Sequence, residues 1–174
     1  LTTLAGLPEM GIAGACAAQL ARYYGFPADV YGLSTSAHTF DVQAGYEKSL
    51  NGILPVLAGT NMLSGLGGLS NSTFASLEQL VIDNEIVREL RRIRRGFDVN
   101  KDAMGFDVIK SVIFGGGNFV ANPHTVKYLR ENEVFEMKAG YSGSFSNWQS
   151  DGKPSINERA RVFAIEKLQD HQVT

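Results

Sequence analysis

Between Ser34 and Glu47 the chain gathers Ser34, Ser36, His38, Asp41, Gln43 and Glu47. Hydroxyl, imidazole and carboxylate groups this close in sequence are the raw material of nucleophilic and acid–base chemistry. A Ser/His/Asp triad can be written on paper, but the Gly-x-Ser-x-Gly turn that exposes a nucleophilic serine is absent, which argues against a hydrolase. Each acidic member also has a plain structural reading. Asp41, in the first turn of a helix, would offset the helix dipole, and Glu47 would be a surface charge paired locally. His38 falls in the loop after a strand, where βα enzymes place their chemistry. His124 and His171 are far from it in sequence, and no carboxylate stands at zinc-ligand spacing from any histidine, so no metal site is expected.

Other motifs carry less. Asp98-Val99-Asn100-Lys101-Asp102 begins like a calcium loop, but Ala103 and Ile109 occupy the sixth and twelfth positions, where glycine and glutamate are required. The glycine runs Gly65 to Gly68 and Gly115 to Gly117 lack the lysine and hydroxyl residue of a phosphate loop. The first run still sits where a βα loop belongs, as a flexible turn or a place of close ligand approach. Arg88, Arg91, Arg92 and Arg95 share one helical face, to be read as a solvated surface paired with Asp83, Glu85 and Glu89, or as a docking surface for an acidic partner.

The whole chain bounds these readings. It has 174 residues, 44% hydrophobic and 20% charged, with a net charge of -2. That is the balance of a globular domain with a sizeable core, and a near-neutral charge gives no electrostatic reason to seek nucleic acid or an acidic membrane. Cys16 is the single cysteine, so no intrachain disulfide can form and a reducing, cytoplasmic setting is expected. Leu1 to Ala21 is apolar, but it lacks a basic leader region and is interrupted by Pro8, Glu9 and Gln19, so neither a signal peptide nor a membrane span is expected.

The elements around the Ser34–Glu47 segment repeat. Three units of short apolar run, loop and long helix are expected, with strands starting at about residues 2, 30 and 61, roughly the spacing of one βα unit. The first helix would begin at Pro8 and Glu9 and bury Met10, Ala13, Ala17, Leu20, Ala21 and Tyr24. The second would be capped by Thr39 and run to Ala58, with Pro55 kinking it or ending it early. The third would follow a loop from Leu66 to Thr73, open with a capping box of Ser76 and Gln79, and close at Gly96. From about Phe97 the pattern changes to short helices and loops. Asn100 would cap a helix through Val112, Asn122 and Pro123 would open another, Gly140 to Pro154 would be turns, and a last helix would run from Ile156 to His171. The expected fold is therefore α/β, with residues 1–96 as βα units and 97–174 as a helical extension. Eight units and about 250 residues close a barrel, so three units mean an open sheet or the last part of a barrel.

The stretches Gln19-Leu20-Ala21-Arg22-Tyr23-Tyr24-Gly25-Phe26-Pro27 and Asp41-Val42-Gln43-Ala44-Gly45-Tyr46-Glu47, with Ser36 before the second, resemble the trimethylamine methyltransferase family. So do Leu80-Val81-Ile82-Asp83-Asn84-Glu85-Ile86 and His124-Thr125, in the same order and with similar spacing over nearly the whole chain. The resemblance implies the C-terminal third of a TIM-barrel enzyme with a helical extension. Such an enzyme moves a methyl group from a methylated amine to the Co(I) centre of a partner corrinoid protein, and this chain itself would bind no cofactor. Some members use trimethylamine and carry pyrrolysine. None is present in this chain, which favours quaternary amines such as glycine betaine. In that chemistry the cobalt is the nucleophile, and the enzyme places the methyl group and excludes water. A quaternary ammonium is held by aromatic faces and carboxylates. The resemblance therefore directs attention to His38, Asp41 and Glu47 as catalytic candidates, and to Ser36, Gln43, Tyr31, Phe40 and Tyr46 as substrate-binding candidates. Unpaired parallel strand edges would drive formation of a homo-oligomer. The alternative is a non-catalytic α/β module that binds a small molecule or partner.

Overall fold

A computed structural model describes residues 5–131 and 133–171. The expected first strand near residue 2 lies outside the described residues. The fold is mixed and mostly helical, with short strands. In chain order its elements are α1 (Pro8–Tyr23), β1 (Asp29–Val30), α2 (Val42–Ala58), β2 (Met62–Leu63), β3 (Gly68–Leu69), β4 (Phe74–Ala75) and α3 (Leu77–Arg95). They continue as α4 (Lys101–Met104), α5 (Phe106–Gly115), α6 (Pro123–Arg130), α7 (Phe145–Ser150) and α8 (Ile156–Gln169). Among the described residues no helix is long and apolar enough to cross a membrane. The chain divides into two compact units, one of residues 1–94 with 137–174, the other of residues 95–136.

In the first unit, β1 and β2 pair in parallel, Asp29 opposite Met62 and Val30 opposite Leu63, with α2 as the crossover between them. Parallel strands need such a crossover, and here it carries the chemistry-bearing loop at its start. Asp41 caps α2 by accepting from the amides of Gln43 (2.8 Å) and Ala44 (3.3 Å), so the cap is two residues later than Thr39. Pro55 does not shorten α2, which runs on to Ala58. It lies three residues from the end, where only the bond to the Asn51 carbonyl is forfeited, and the helix stops at a left-handed Gly59.

α1 packs against α2 through small residues. Gly11, Gly14 and Ala18 are its buried positions, while Leu20 and Tyr24 of the expected apolar stripe are exposed. The reason is steric: a side chain at Gly14 would run into Val30, and one at Gly11 into Asn51 and Leu54, so close approach of the backbones outranks side-chain size in choosing the buried face.

The segment Leu66 to Thr73 is not a plain loop. β3 and β4 form an antiparallel hairpin with Leu69 opposite Phe74. At its tip Ser70, Asn71 and Ser72 are left-handed in succession. The amides of Ser70 and Asn71 donate to the carbonyls of Ala37 (2.7 Å) and Thr35 (2.9 Å), which ties the tip to the loop after β1. Beyond it, Ser76 accepts from the Gln79 amide, but the Gln79 side chain donates to Asp83 instead of closing the capping box. Residues from Met137 onward rejoin this unit. Glu85 of α3 accepts from the Lys138 amide at 2.9 Å, and Arg159 of α8 donates to the carbonyls of Ala139 and Lys138. The Gly140–Pro154 stretch, expected as turns, contains α7, capped by Ser144.

The second unit is stitched by polar contacts. Asp102 is its hub: its carboxylate accepts from Lys127 (2.5 Å) and Tyr128 (3.1 Å), and its carbonyl lies 2.7 Å from His124 Nε2. Gly105, with φ at 59°, breaks the expected single helix into α4 and α5. Asn122 caps α6 with Pro123 at its first position.

Candidate functional site

The loop after β1 and the first turns of α2 converge on Glu47. Its Oε2 accepts from the Thr35 hydroxyl at 2.6 Å and the Ser36 amide at 2.7 Å, and its Oε1 from the Ser36 hydroxyl at 3.0 Å and Gln43 Nε2 at 2.8 Å. Gln43 reaches it because positions four apart stack on one helix face. Glu47 is 5% exposed. Burial alone would raise its pKa, but the hydrogen bonds from Thr35, Gln43 and Ser36 outweigh that and hold it below the ordinary carboxylate range. Glu47 is thus a fixed negative charge with its acceptor positions filled, poorly suited to shuttling protons. Ser36 and Gln43 are half-buried.

Behind this cluster lies a second one. Lys48, fully buried, donates to the Leu33 carbonyl at 3.0 Å, to that of Gly65 at 3.4 Å, and to Asp83 of α3 at 2.7 Å. Asp83 also accepts from the Gly67 amide and Gln79 Nε2, both at 2.6 Å. Asn51, one turn along α2, donates to the carbonyls of Gly6 and Glu47 at 2.8 Å each. The loops after β1 and β2 are therefore both anchored to α2 from below.

The structure brings Ser36, Gln43 and Glu47 together, with Thr35 as a further member. The other residues singled out by sequence have separate partners. His38 Nδ1 lies 2.8 Å from the Ser70 hydroxyl. Asp41 is committed to the α2 cap. Phe40 packs on the Ala37, Ala44 and Leu69 cluster. The Tyr31 hydroxyl meets the Ser72 hydroxyl, and Tyr46 is 52% exposed. Among the described residues no three His, Cys, Asp or Glu side chains gather as a metal-binding group. Sequence reasoning missed Thr35, Lys48 and Asn51, and it read Asp83 as a surface partner of the α3 arginines, whereas Asp83 is buried against Lys48 because it lies on the inward stripe of α3. The available signal was periodic: Ala44, Lys48, Asn51 and Pro55 fall on one stripe of α2, and Gln79, Asp83, Ile86 and Leu90 on one stripe of α3, so a polar residue inside each apolar stripe marks a buried network.

In this βαβ unit the loop after β1 turns its polar groups to a buried carboxylate, Glu47, while the loop after β2 is held by Lys48 and Asp83. Comparison with known sequences gives the class. The family model for trimethylamine methyltransferase matches residues 2–173. The chain is 34% identical to a trimethylamine methyltransferase of Methanosarcina mazei over 99% of its own length and 34% of the relative's. It is 33% identical to a trimethylamine methyltransferase of Desulfitobacterium hafniense over 98% of the chain and 34% of the relative, and 31% identical to a glycine betaine methyltransferase of that species over 91% and 32%. The chain belongs to the trimethylamine methyltransferase family, and it spans about a third of the length of the curated relatives it matches.

Proposed function

We propose that this chain is the C-terminal part of a methyltransferase that moves a methyl group from a methylated amine to the Co(I) of a separate corrinoid protein. The donor is a quaternary amine such as glycine betaine, or trimethylamine. Membership of the family across residues 2–173 is the observation that carries this reading. The β1–α2–β2 unit supports the accompanying view of the fold, in which the chain supplies the last three βα units of a TIM-type barrel and a helical extension.

In this reaction the methyl carbon exchanges its bond to nitrogen for a bond to cobalt. The nitrogen, quaternary in a betaine or protonated in trimethylammonium, keeps the electron pair of the broken bond and leaves as the neutral amine, so positive charge leaves the substrate. The residues of this chain bind and orient the donor and keep water away from the reacting carbon. Glu47 provides a fixed negative field for the substrate cation, with Ser36 and Gln43 as the polar groups nearest the ligand. Tyr31, Phe40 and Tyr46 supply aromatic faces for the ammonium. His38 and Asp41 stand at the mouth of the loop.

The test is a visible-absorbance assay in which reduced corrinoid is mixed with this chain, and separately with the complete gene product, against betaines and methylamines. Appearance of the methylated corrinoid with one donor supports the reading and names the substrate. Absence of methylation with both proteins and every donor overturns it.

A further inference from the structure

We infer that the tip of the β3–β4 hairpin is a positioning clasp for the methyl-donor site. The amides of Ser70 and Asn71 fix the stretch 35–38 so that Ser36 stays against Glu47, and the hydroxyls of Ser70 and Ser72 hold the tip in place. The clasp presupposes the methyl-transfer reading and adds what keeps its site in register. Ser70, Asn71 and Ser72 have φ of 51°, 54° and 63° in succession. Residues other than glycine enter this region singly and at a cost, so three in a row persist only where surrounding contacts over-determine them. The same segment uses glycine where it needs a left-handed backbone without a side chain: Gly65 and Gly67 have φ of 98° and 77°. At the tip the side chains have partners instead. The Ser70 hydroxyl lies 2.8 Å from His38 Nδ1, and the Ser72 hydroxyl meets that of Tyr31.

The clasp acts through one peptide plane. The Asn71 amide donates to the Thr35 carbonyl at 2.9 Å. That carbonyl and the Ser36 N–H belong to the same planar peptide unit and point to opposite sides of it. The Ser36 N–H donates to Glu47 Oε2 at 2.7 Å, so a hold on the Thr35 oxygen aims the Ser36 amide at the carboxylate. The Ser70 amide donates to the Ala37 carbonyl at 2.7 Å, which fixes the peptide unit leading into His38. Lys48 holds this loop earlier, at Leu33. The hairpin itself is supported: Leu69 is buried with Ala37 and Ala44, and the Gly67 amide donates to Asp83.

The test uses the complete gene product, with glycine betaine and trimethylamine as donors and the reduced corrinoid as acceptor. Asn71→Pro removes the amide that meets Thr35 and forbids the left-handed backbone. Ser70→Ala with Ser72→Ala removes the two hydroxyl contacts and keeps every backbone donor, so it serves where the proline variant does not fold. Either change is expected to raise KM for the donor about tenfold, because Ser36 loses its outer support. Asn71→Gly, which keeps the amide and the left-handed backbone, is expected to stay within about twofold of the native protein. Loss of folded protein alone lowers the apparent kcat and leaves KM where it was, so KM separates positioning from stability. In hydrogen exchange the Ser36 amide is expected to exchange about tenfold faster in S70A/S72A, while those of Ile86 and Leu90 in α3 do not change. A native KM in folded S70A/S72A or N71P overturns the clasp, and so does a Ser36 amide whose exchange is unaffected. N71G as impaired as N71P also overturns it, because the effect then belongs to the Asn71 side chain. A native protein that methylates the corrinoid with neither donor overturns the functional reading instead, and the exchange comparison still decides whether the tip holds Ser36.

Discussion

The ammonium of Lys48 and the carboxylate of Asp83 meet at 2.7 Å with neither side chain reaching solvent. Burial pushes the Asp83 carboxyl up and the Lys48 ammonium down, and their mutual attraction works against both shifts. The pair does not earn its place by charge attraction alone, because desolvation offsets much of that gain. What it adds is placement, since it is bonded to Leu33 and Gly65 on one side and to Gly67 on the other.

Asp83→Ala is expected to destabilise the fold by about 3–5 kcal/mol, because it strands a buried ammonium. The paired replacement Lys48→Met with Asp83→Leu should cost much less, and it should free the loop amide of Gly67. Urea denaturation of the three proteins measures the difference, and equal losses in single and double variants would show that the pair does not act as a unit.

Glu47 sets an acid limit. Its folded pKa is below the ordinary value of 4.5, so the folded state binds the proton less readily than the unfolded chain. The resulting stability is present above the unfolded pKa and is lost as pH falls through the folded one. Glu47→Gln is expected to flatten the decline of stability in that acid window, which denaturant titrations at a series of pH values would reveal.

Gly6 has φ of 95°, and a Cβ there would collide with the Glu47 carboxylate. Gly6→Ala is expected to cost about 1–3 kcal/mol through backbone strain and through displacement of that carboxylate. A melting curve matching that of the native chain would show that the N-terminal turn does not press on Glu47.

Asp41 offers a separation of roles. As the α2 cap its loss to alanine should cost about 1 kcal/mol, whereas Asp41→Ser keeps a capping oxygen and should restore most of that. In the complete protein, methyl transfer that is lost in both variants would assign the Asp41 charge to the site, while transfer that follows stability would assign it to the cap alone.

The long elements were legible because their ends are written in residues with a fixed backbone habit: Pro8, Gly59, and Asn122 with Pro123; the reciprocal capping box of Ser155 and Glu158 that opens α8 was passed over. The positions of β1 and β2 were legible from spacing. The hairpin of β3 and β4 was not, because its tip uses Ser70, Asn71 and Ser72 in a left-handed conformation that glycine usually advertises. The buried face of α1 was hidden because glycine and alanine read as weakly apolar, although they permit the closest packing. Of the candidate site, the loop was visible in its density of polar residues. Its grouping was not, since a list of hydroxyls and carboxylates does not say that Thr35, Ser36 and Gln43 all turn to Glu47 while His38 turns to Ser70.

Glu47 and Lys48 are neighbours in the chain; Glu47 holds the loop after β1, and Lys48 reaches both that loop at Leu33 and the loop after β2 at Gly65. Adjacent positions on a helix point about 100° apart. The angular phase of α2 is therefore a single coordinate that sets both strand-end loops together. One residue added or removed between Asp41 and Glu47 would rotate both grips at once, so this segment tolerates changes of side chain far better than changes of length.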